Sequence, residues 1–299
     1  MTDIALTPPF TDQGGSPKMS DLLLDIRTSA NSFTKTEKRV ADYVLANPKD
    51  VMYMSITELA DACGVGDTSV FRFCRHLKQK GYHDFKMHLA QSLSDQSNAS
   101  VFDDQSPEDS LEVTVHKALE ANVNALRETC DLIDCKALYT AVEWLAEAER
   151  IAFFGSGSSA VSALDAQARF MRITSKVCMS MDTHMQTFCA SLLTPRDVAV
   201  LYSYSGNTKD TVSIAQTAKQ AGARLICISR FRKSPLEGLC DLLLLCGANE
   251  GPMQGGSLSA KVSQLFLTEV LYLGYFKRTY EQSMHNKHLS STAISEKLY

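Results

Sequence analysis

Val198-Ala199-Val200-Leu201-Tyr202 runs straight into Ser203-Tyr204-Ser205-Gly206-Asn207-Thr208, with Asp210-Thr211-Val212 beyond it. The first five residues form an apolar run of strand length, the pattern of a strand buried on both faces. Ser203, Ser205 and Thr208 then place hydroxyls beside a glycine at a turn, and a helix is expected from Thr208 to about Ala221. A helix N-terminus offers unpaired N–H groups and the positive end of a dipole, so such a turn favours an anion. Hydroxyls add hydrogen bonds to phosphate oxygens without adding charge. The same residues also serve as a plain Ser/Thr-capped turn in any α/β protein. The rest of the chain decides between these readings.

Four more strands are expected around this one: Ile151–Gly155, Lys176–Met181, Leu225–Ser229 and Leu242–Cys246. Helices are expected between them near Ser159–Ile173, His184–Leu193 and Pro235–Leu239, and a long apolar helix follows over about Ser259 to Lys277. Strand–helix alternation marks a parallel sheet covered on both faces, which binds ligands at the carboxyl ends of its strands. Upstream lie two more helices, one carrying Leu111, Val115, Leu119, Val123 and Leu126 on one face and another from Lys136 to Ala148. Core packing and dimer contact are both open for the first of them.

A second hydroxyl-rich turn, Gly155-Ser156-Gly157-Ser158-Ser159-Ala160, ends the first strand of the sheet. It satisfies G-x-G-x-x-A between strand and helix, with Asp182 near the end of the next strand, as a dinucleotide site would. The crowd of serines and the second Ser-rich turn argue against that cofactor. Two such turns can converge on one phosphate, so no cofactor is assigned.

The chain begins differently. Thr34-Lys35-Thr36-Glu37 and Ser55-Ile56-Thr57-Glu58 are two capping boxes opening short amphipathic helices. Gly64-Val65-Gly66 breaks the second, and Asp67 is expected to cap a third helix reaching about Gln79. Ile56, Leu59 and Ala60, a turn glycine, then Val65, Val70 and Phe73 supply the packing of a helix-turn-helix. Thr68, Ser69, Arg72, Arg75, His76 and Lys78 fall outside its apolar stripe. From Thr68 to Ala90, Arg72, Arg75, Lys78, Lys80 and Lys86 stand against Asp84 alone, a local charge of +4 in a chain of net −4. That concentration is what double-stranded DNA requires, with the second helix in the major groove. Tyr82 and Phe85 are expected to pack back on the bundle and not to stack on bases.

Length and composition fit two domains, since 299 residues can bury two cores. The expected division is a disordered leader over 1–18, a helix-turn-helix domain over 19–94 and a Ser-, Asp- and Gln-rich linker over 95–109. An α/β domain with a five-stranded parallel sheet flanked by helices follows over 110–280, and a tail over 281–299. The nine cysteines are odd in number with no C-x-x-C pair, which suits a reducing cytoplasm and gives no metal site. No apolar run approaches the roughly 20 residues that span a bilayer, so no membrane partner is expected.

Gly155-Ser156-Gly157-Ser158-Ser159 with Ser203-x-Ser205-Gly206-x-Thr208 resembles the phosphosugar site of the sugar isomerase (SIS) domain. Arg72-Phe73-Cys74-Arg75 and Gly81-Tyr82-x-x-Phe85-Lys86 resemble the N-terminal domain of RpiR-type transcriptional regulators. The resemblance implies that Ser159, Ser203, Ser205 and Thr208 hold the phosphate while Ser158 lines the sugar end. It further implies a bacterial repressor, dimeric or tetrameric through its SIS domain, relieved by a phosphosugar effector. Ser259-Ala260-Lys261 departs from the Ser-Arg of many relatives and leaves contact from that helix open. Tyr204 and the Asp182-Thr183-His184 turn are the candidate sugar discriminators; that turn is similar to one in regulators of N-acetylmuramic acid 6-phosphate use, and the sugar stays open.

SIS domains also occur in isomerases, which need a general base at the sugar C2. His184, Glu250 and Glu269 are the candidates, and they form no recognisable acid/base pair. A regulator without catalytic residues is therefore expected, with phosphosugar isomerase as the alternative.

Overall fold

A computed structural model describes residues 22–30, 32–97, 109–248, 257–295 and 297. The expected leader and most of the expected linker lie outside the described residues.

Among the described residues, six helices build the N-terminal head: α1 (Leu22–Thr28), α2 (Lys35–Ala46), α3 (Pro48–Val51), α4 (Ile56–Cys63), α5 (Asp67–His76) and α6 (Tyr82–Ser97). Both capping boxes form. The Glu37 carboxylate accepts from Thr34 N at 2.8 Å, and that of Glu58 from Ser55 N at 2.7 Å. Gly64, at φ 62°, ends α4 in the left-handed conformation that a turn glycine permits. One core gathers Leu22, Ile26, Val40, Leu59, Val70, Phe73 and Phe85, so Phe85 does pack inward.

Two details of α5 differ from expectation. Gly66 is the N-cap, because the Asp67 carboxylate accepts from the Thr57 hydroxyl at 2.8 Å instead of capping its own helix. The helix stops at His76 and not near Gln79, since Lys78 turns left-handed at φ 60°. Nothing in the sequence pattern had marked α1.

The second half contains α7 (Leu111–Leu132), α8 (Cys135–Glu147), β1 (Ile151–Gly155), α9 (Ser158–Phe170), β2 (Val177–Cys178) and α10 (Thr183–Ser191). It continues through β3 (Val198–Tyr202), α11 (Lys209–Gln220), β4 (Arg224–Ser229), β5 (Leu242–Leu245), α12 (Leu258–Arg278) and α13 (Tyr280–Ser295). All strand pairs are parallel, in the order β2-β1-β3-β4-β5. Alternate residues feed opposite faces, as a pleat of period two demands. Phe153, Val200, Tyr202 and Ile228 pack with Phe170 of α9 and Leu267 and Leu271 of α12. Phe154, Leu201 and Cys227 pack with Ala190 of α10 and Ile214 and Ala218 of α11.

β2 is shorter than Lys176–Met181, because Gln186 captures the Ser180 carbonyl at 2.8 Å and draws the chain off the sheet edge. Residues 235–239 form a turn and not a helix, pinned by Leu236 N donating to Gly206 O at 3.1 Å. The stretch set apart as a tail carries α13. Asn286 donates to Ile173 O at 2.8 Å and Ser290 to Arg172 O at 2.9 Å, fastening it behind α9. The C-terminal half of α7 packs on α12 through Ala125, and its Thr129 hydroxyl accepts from Gly247 N at 2.8 Å, while Leu111, Val115 and Leu119 nearer its start are exposed.

Candidate functional site

β1 and β3 are separated in sequence by β2 but are neighbours in the sheet, with Gly155 beside Tyr202. The chain leaves β1 to one side for β2 and returns to the other for β3. Their carboxyl ends therefore flank the topological switch point, where open α/β sheets bind ligands. Both hydroxyl-rich turns start there.

The first turn is shaped by two glycines. A Cβ at Gly155 would sit 2.8 Å from the Ser159 carbonyl oxygen, so only glycine allows α9 to begin so close to the strand. Gly157 has φ 56° and open space around it, and no side chain caps the helix it precedes. Buried Gln186 fixes the base of the turn. Its amide accepts from Gly155 N at 3.2 Å and donates to Gly155 O at 2.9 Å. Thr183-x-x-Gln186 has the spacing of a capping box, but with Gln186 held this way Asp182 caps α10 instead, accepting from Met185 N at 2.9 Å.

The second turn is joined to the first by Thr211 Oγ1 donating to Ser156 Oγ at 3.3 Å. Ser203 is buried and its hydroxyl accepts from Gly206 N at 3.2 Å, while Ser205 Oγ accepts from Asn207 N at 3.2 Å. Thr208 is the N-cap of α11, exposed, and its hydroxyl does not cap the helix. Gly206 has φ 65° and packs so tightly on Ser234 that a side chain has no room.

The start of α12 completes the cradle. Lys261 Nζ donates to Ser158 Oγ at 3.3 Å, and Gln264 Nε2 donates to Ser159 Oγ at 3.2 Å. Gln264 is itself held by the Ser162 hydroxyl at 2.7 Å. The contact left open at Ser259-Ala260-Lys261 is thus an ammonium placed against a serine of the turn. Uncharged hydroxyls, a helix start and one cation suit a phosphate monoester. Gln264 escaped the sequence reading because it lies 105 residues from Ser159, beyond any motif.

Tyr204 turns its hydroxyl to the Ala248 carbonyl at 2.8 Å and its ring to Phe231 at 5.8 Å. His184 is exposed in the first turn of α10, after the strand next to β1. Glu269 is ion-paired with Arg169, which also holds Asp165 at 2.6 Å. Glu250 lies outside the described residues.

On the head, α5 exposes Thr68, Arg72 and Arg75, Ser69 is half-buried, and Lys78 is exposed just beyond. His76 turns away, 3.5 Å from Glu37 and 3.1 Å from the Ser32 hydroxyl. Lys86, counted in the basic stretch, points inward to Met54 O at 3.1 Å and lies over the Tyr82 ring. Burial lowers its ammonium to about 8.

Residues 20–96 match the helix-turn-helix domain of the rpiR family and residues 144–274 the SIS domain. Over 277 residues the chain is 34% identical to an HTH-type transcriptional regulator of Caldanaerobacter subterraneus, covering 93% of this chain and 98% of that one. The chain belongs to the RpiR family of helix-turn-helix transcriptional regulators. This RpiR-family chain is also 33% identical to the regulator HexR of Escherichia coli, over 86% of its own length and 89% of HexR. Among solved structures it superposes on Vibrio vulnificus NanR complexed with ManNAc-6P with a TM-score of 0.82 and 29% identity, covering 93% and 100% of the two chains. The RpiR pairing of reading head and SIS sheet therefore extends through both halves, and among the described residues no helix is long and apolar enough to cross a membrane.

Proposed function

We propose that this RpiR-family regulator binds operator DNA as a homo-oligomer and that a phosphosugar, seated between the two hydroxyl-rich turns, lowers its operator affinity. The observation that carries the reading is the meeting of the Ser158-Ser159 turn, the Ser203–Thr208 turn and Lys261 at one switch point. Residues 19–94 act as the reader and 110–280 as the sensor, with Ser158, Ser159, Ser203, Ser205 and Thr208 nearest the phosphate. His184 and Tyr204 stand at the sugar end. Thr68, Ser69, Arg72, Arg75 and Lys78 face the duplex, N-terminal residues toward base edges and basic ones toward phosphates. The work is done in the cytoplasm, where the operator lies.

The effector must favour one arrangement of the two heads over another, or operator affinity does not change. Neither Glu269, held by Arg169, nor exposed His184 is paired as an acid/base couple, which supports sensing without turnover. NanR is the relative seen with an N-acetylated hexosamine 6-phosphate, so that class heads the panel. A thermal-shift screen tests the reading with ManNAc-6P, other amino-sugar, hexose and pentose phosphates, their unphosphorylated sugars and inorganic phosphate. Stabilisation by one phosphosugar, with weakened operator binding at the same concentration, is the expected result. No stabilisation by any of them defeats the sensor reading, and isomerisation of the stabilising sugar defeats the non-enzymatic one.

A further inference from the structure

The reading helix α5 carries one residue that the basic pattern does not explain. Phe71 is 45% exposed in the whole chain, in the middle of the helix, while Val70, Phe73 and Cys74 around it are buried. Singly exposed apolar side chains are common on this protein, and Phe71 is set apart by standing on the reading helix among exposed basic residues. Phe71 lies on the outward side with Thr68 three positions before, Arg72 next to it and Arg75 four positions after. Its ring edge rests over Gly81, where an added Cβ would stand 3.7 Å away, so the turn into α6 supports the ring without covering it. The second half of the chain meets the head on α4, through Thr57 and Asp61, and leaves this side of α5 open.

The surroundings select the partner. Arg72 and Arg75 are exposed on the same helix as the ring, and Lys78 and Lys80 are exposed in the turn that leads to Gly81 beside it. A second copy of this surface would set cation against cation, whereas a polyanion neutralises them. Within the major groove the thymine 5-methyl is the apolar feature that base edges offer, and a phenyl ring is one of its recognised partners. We infer that Phe71 reads a thymine methyl group in the operator, setting base preference at one position of each half-site. This contact rests on the DNA-binding reading above and adds a residue that its charge pattern did not include.

The test begins with the full chain and random-sequence enrichment to define the bound operator. Each thymine is then replaced singly by deoxyuridine, which removes only the methyl group. Wild type is expected to lose about four-fold in affinity at one thymine per half-site, the worth of one buried methyl group. Phe71→Ala is expected to bind the thymine operator that much more weakly and to show no further loss on the deoxyuridine version. Arg72→Ala, weaker overall, keeps the loss at that thymine. Indifference of the wild type to every replacement overturns the inference, and so does an equal loss in wild type and Phe71→Ala. A change of oligomeric mass in Phe71→Ala without any deoxyuridine effect assigns the ring to a protein contact and also overturns it. Enrichment of no sequence at all brings down the DNA-binding reading itself, and this contact with it.

Discussion

Lys233 pairs with Asp61, an ammonium from the β4–β5 connection against a carboxylate on the first helix of the helix-turn-helix. The Thr57 hydroxyl lies 3.2 Å from the Lys233 carbonyl and 2.8 Å from the Asp67 carboxylate at the start of the reading helix. Lys233 itself sits left-handed at φ 56°, and the Asp61 partner raises its ammonium above the ordinary lysine value. The same connection is tied to the second hydroxyl-rich turn, Arg230 N donating to Tyr204 O at 3.0 Å and Leu236 N to Gly206 O at 3.1 Å. One loop therefore touches both the second hydroxyl-rich turn and the helix-turn-helix head.

Breaking this pair is expected to uncouple the two sites more than it harms either. Lys233→Ala should leave phosphosugar affinity within about two-fold, because no cradle residue is altered. Exposed ion pairs are solvent-screened and weak, so the factor by which the sugar changes operator affinity should shrink by no more than about a few-fold. The effect should fade as salt is raised. Operator titrations with and without the effector, at two ionic strengths, measure it; an unchanged factor at low salt would remove Lys233 from the coupling.

Lys261→Met is expected to weaken the phosphosugar while sparing the fold. A charge-assisted hydrogen bond contributes about 1.5–3 kcal/mol, which corresponds to roughly 10- to 150-fold in affinity. Calorimetry with the phosphorylated and unphosphorylated sugar checks the assignment, since only the former should lose affinity. Equal losses for both sugars would place Lys261 away from the phosphate.

Much of this arrangement was legible in local pattern, and what was not depended on distant partners. β1 and β3 fall on the residues that the apolar runs mark, because strands buried on both faces carry the strongest signal. The capping boxes at Thr34 and Ser55 are self-contained within four residues and form as their sequence dictates. Gln186 reads as a cap but is claimed by Gly155, 31 residues away. Lys86 reads as a surface cation but is turned in by Met54, 32 residues away. The cradle suffered most, since Lys261 and Gln264 reach it only once α12 has packed along α9.

Asp197 is expected to anchor the sheet domain and to make its stability fall in acid. Buried Asp197 accepts from Arg150 Nη2 at 2.7 Å, Arg150 N at 3.0 Å, Thr194 N at 2.8 Å and Thr194 Oγ1 at 2.9 Å. Burial pushes the carboxyl upward, but the bonds from Arg150 and Thr194 outweigh it and hold the group below the ordinary 3.8. A carboxyl depressed in the folded state adds stability above the unfolded value, and that stability is lost as pH falls through the folded one. Asp197→Ala should cost about 3 kcal/mol at pH 7, toward the low end for a broken buried pair because half-exposed Arg150 can still reach water. Asp197→Asn should lose less, and its deficit should close as pH falls below the ordinary aspartate value and through the lowered folded one in denaturation curves.

Cys189 is expected to be reactive near neutral pH, and Cys178 to be the reason. Their sulfurs lie 3.4 Å apart between α10 and β2, both half-buried. The hydrogen bond between the two sulfurs favours the Cys189 thiolate with the proton kept on Cys178, lowering Cys189 to about 7 against the opposing effect of burial, with the Arg150 charge assisting. The same bond raises Cys178 above the ordinary thiol value, since it must keep its proton to donate. Only the thiolate attacks an alkylating reagent. Iodoacetamide labelling of Cys189, followed by peptide mass spectrometry, should therefore climb about ten-fold per pH unit below 7 and level off above it. In Cys178→Ala the donor is gone while burial and Arg150 remain, so the midpoint should move upward. A midpoint that stays put would show that the arginine, and not the neighbouring thiol, sets the reactivity.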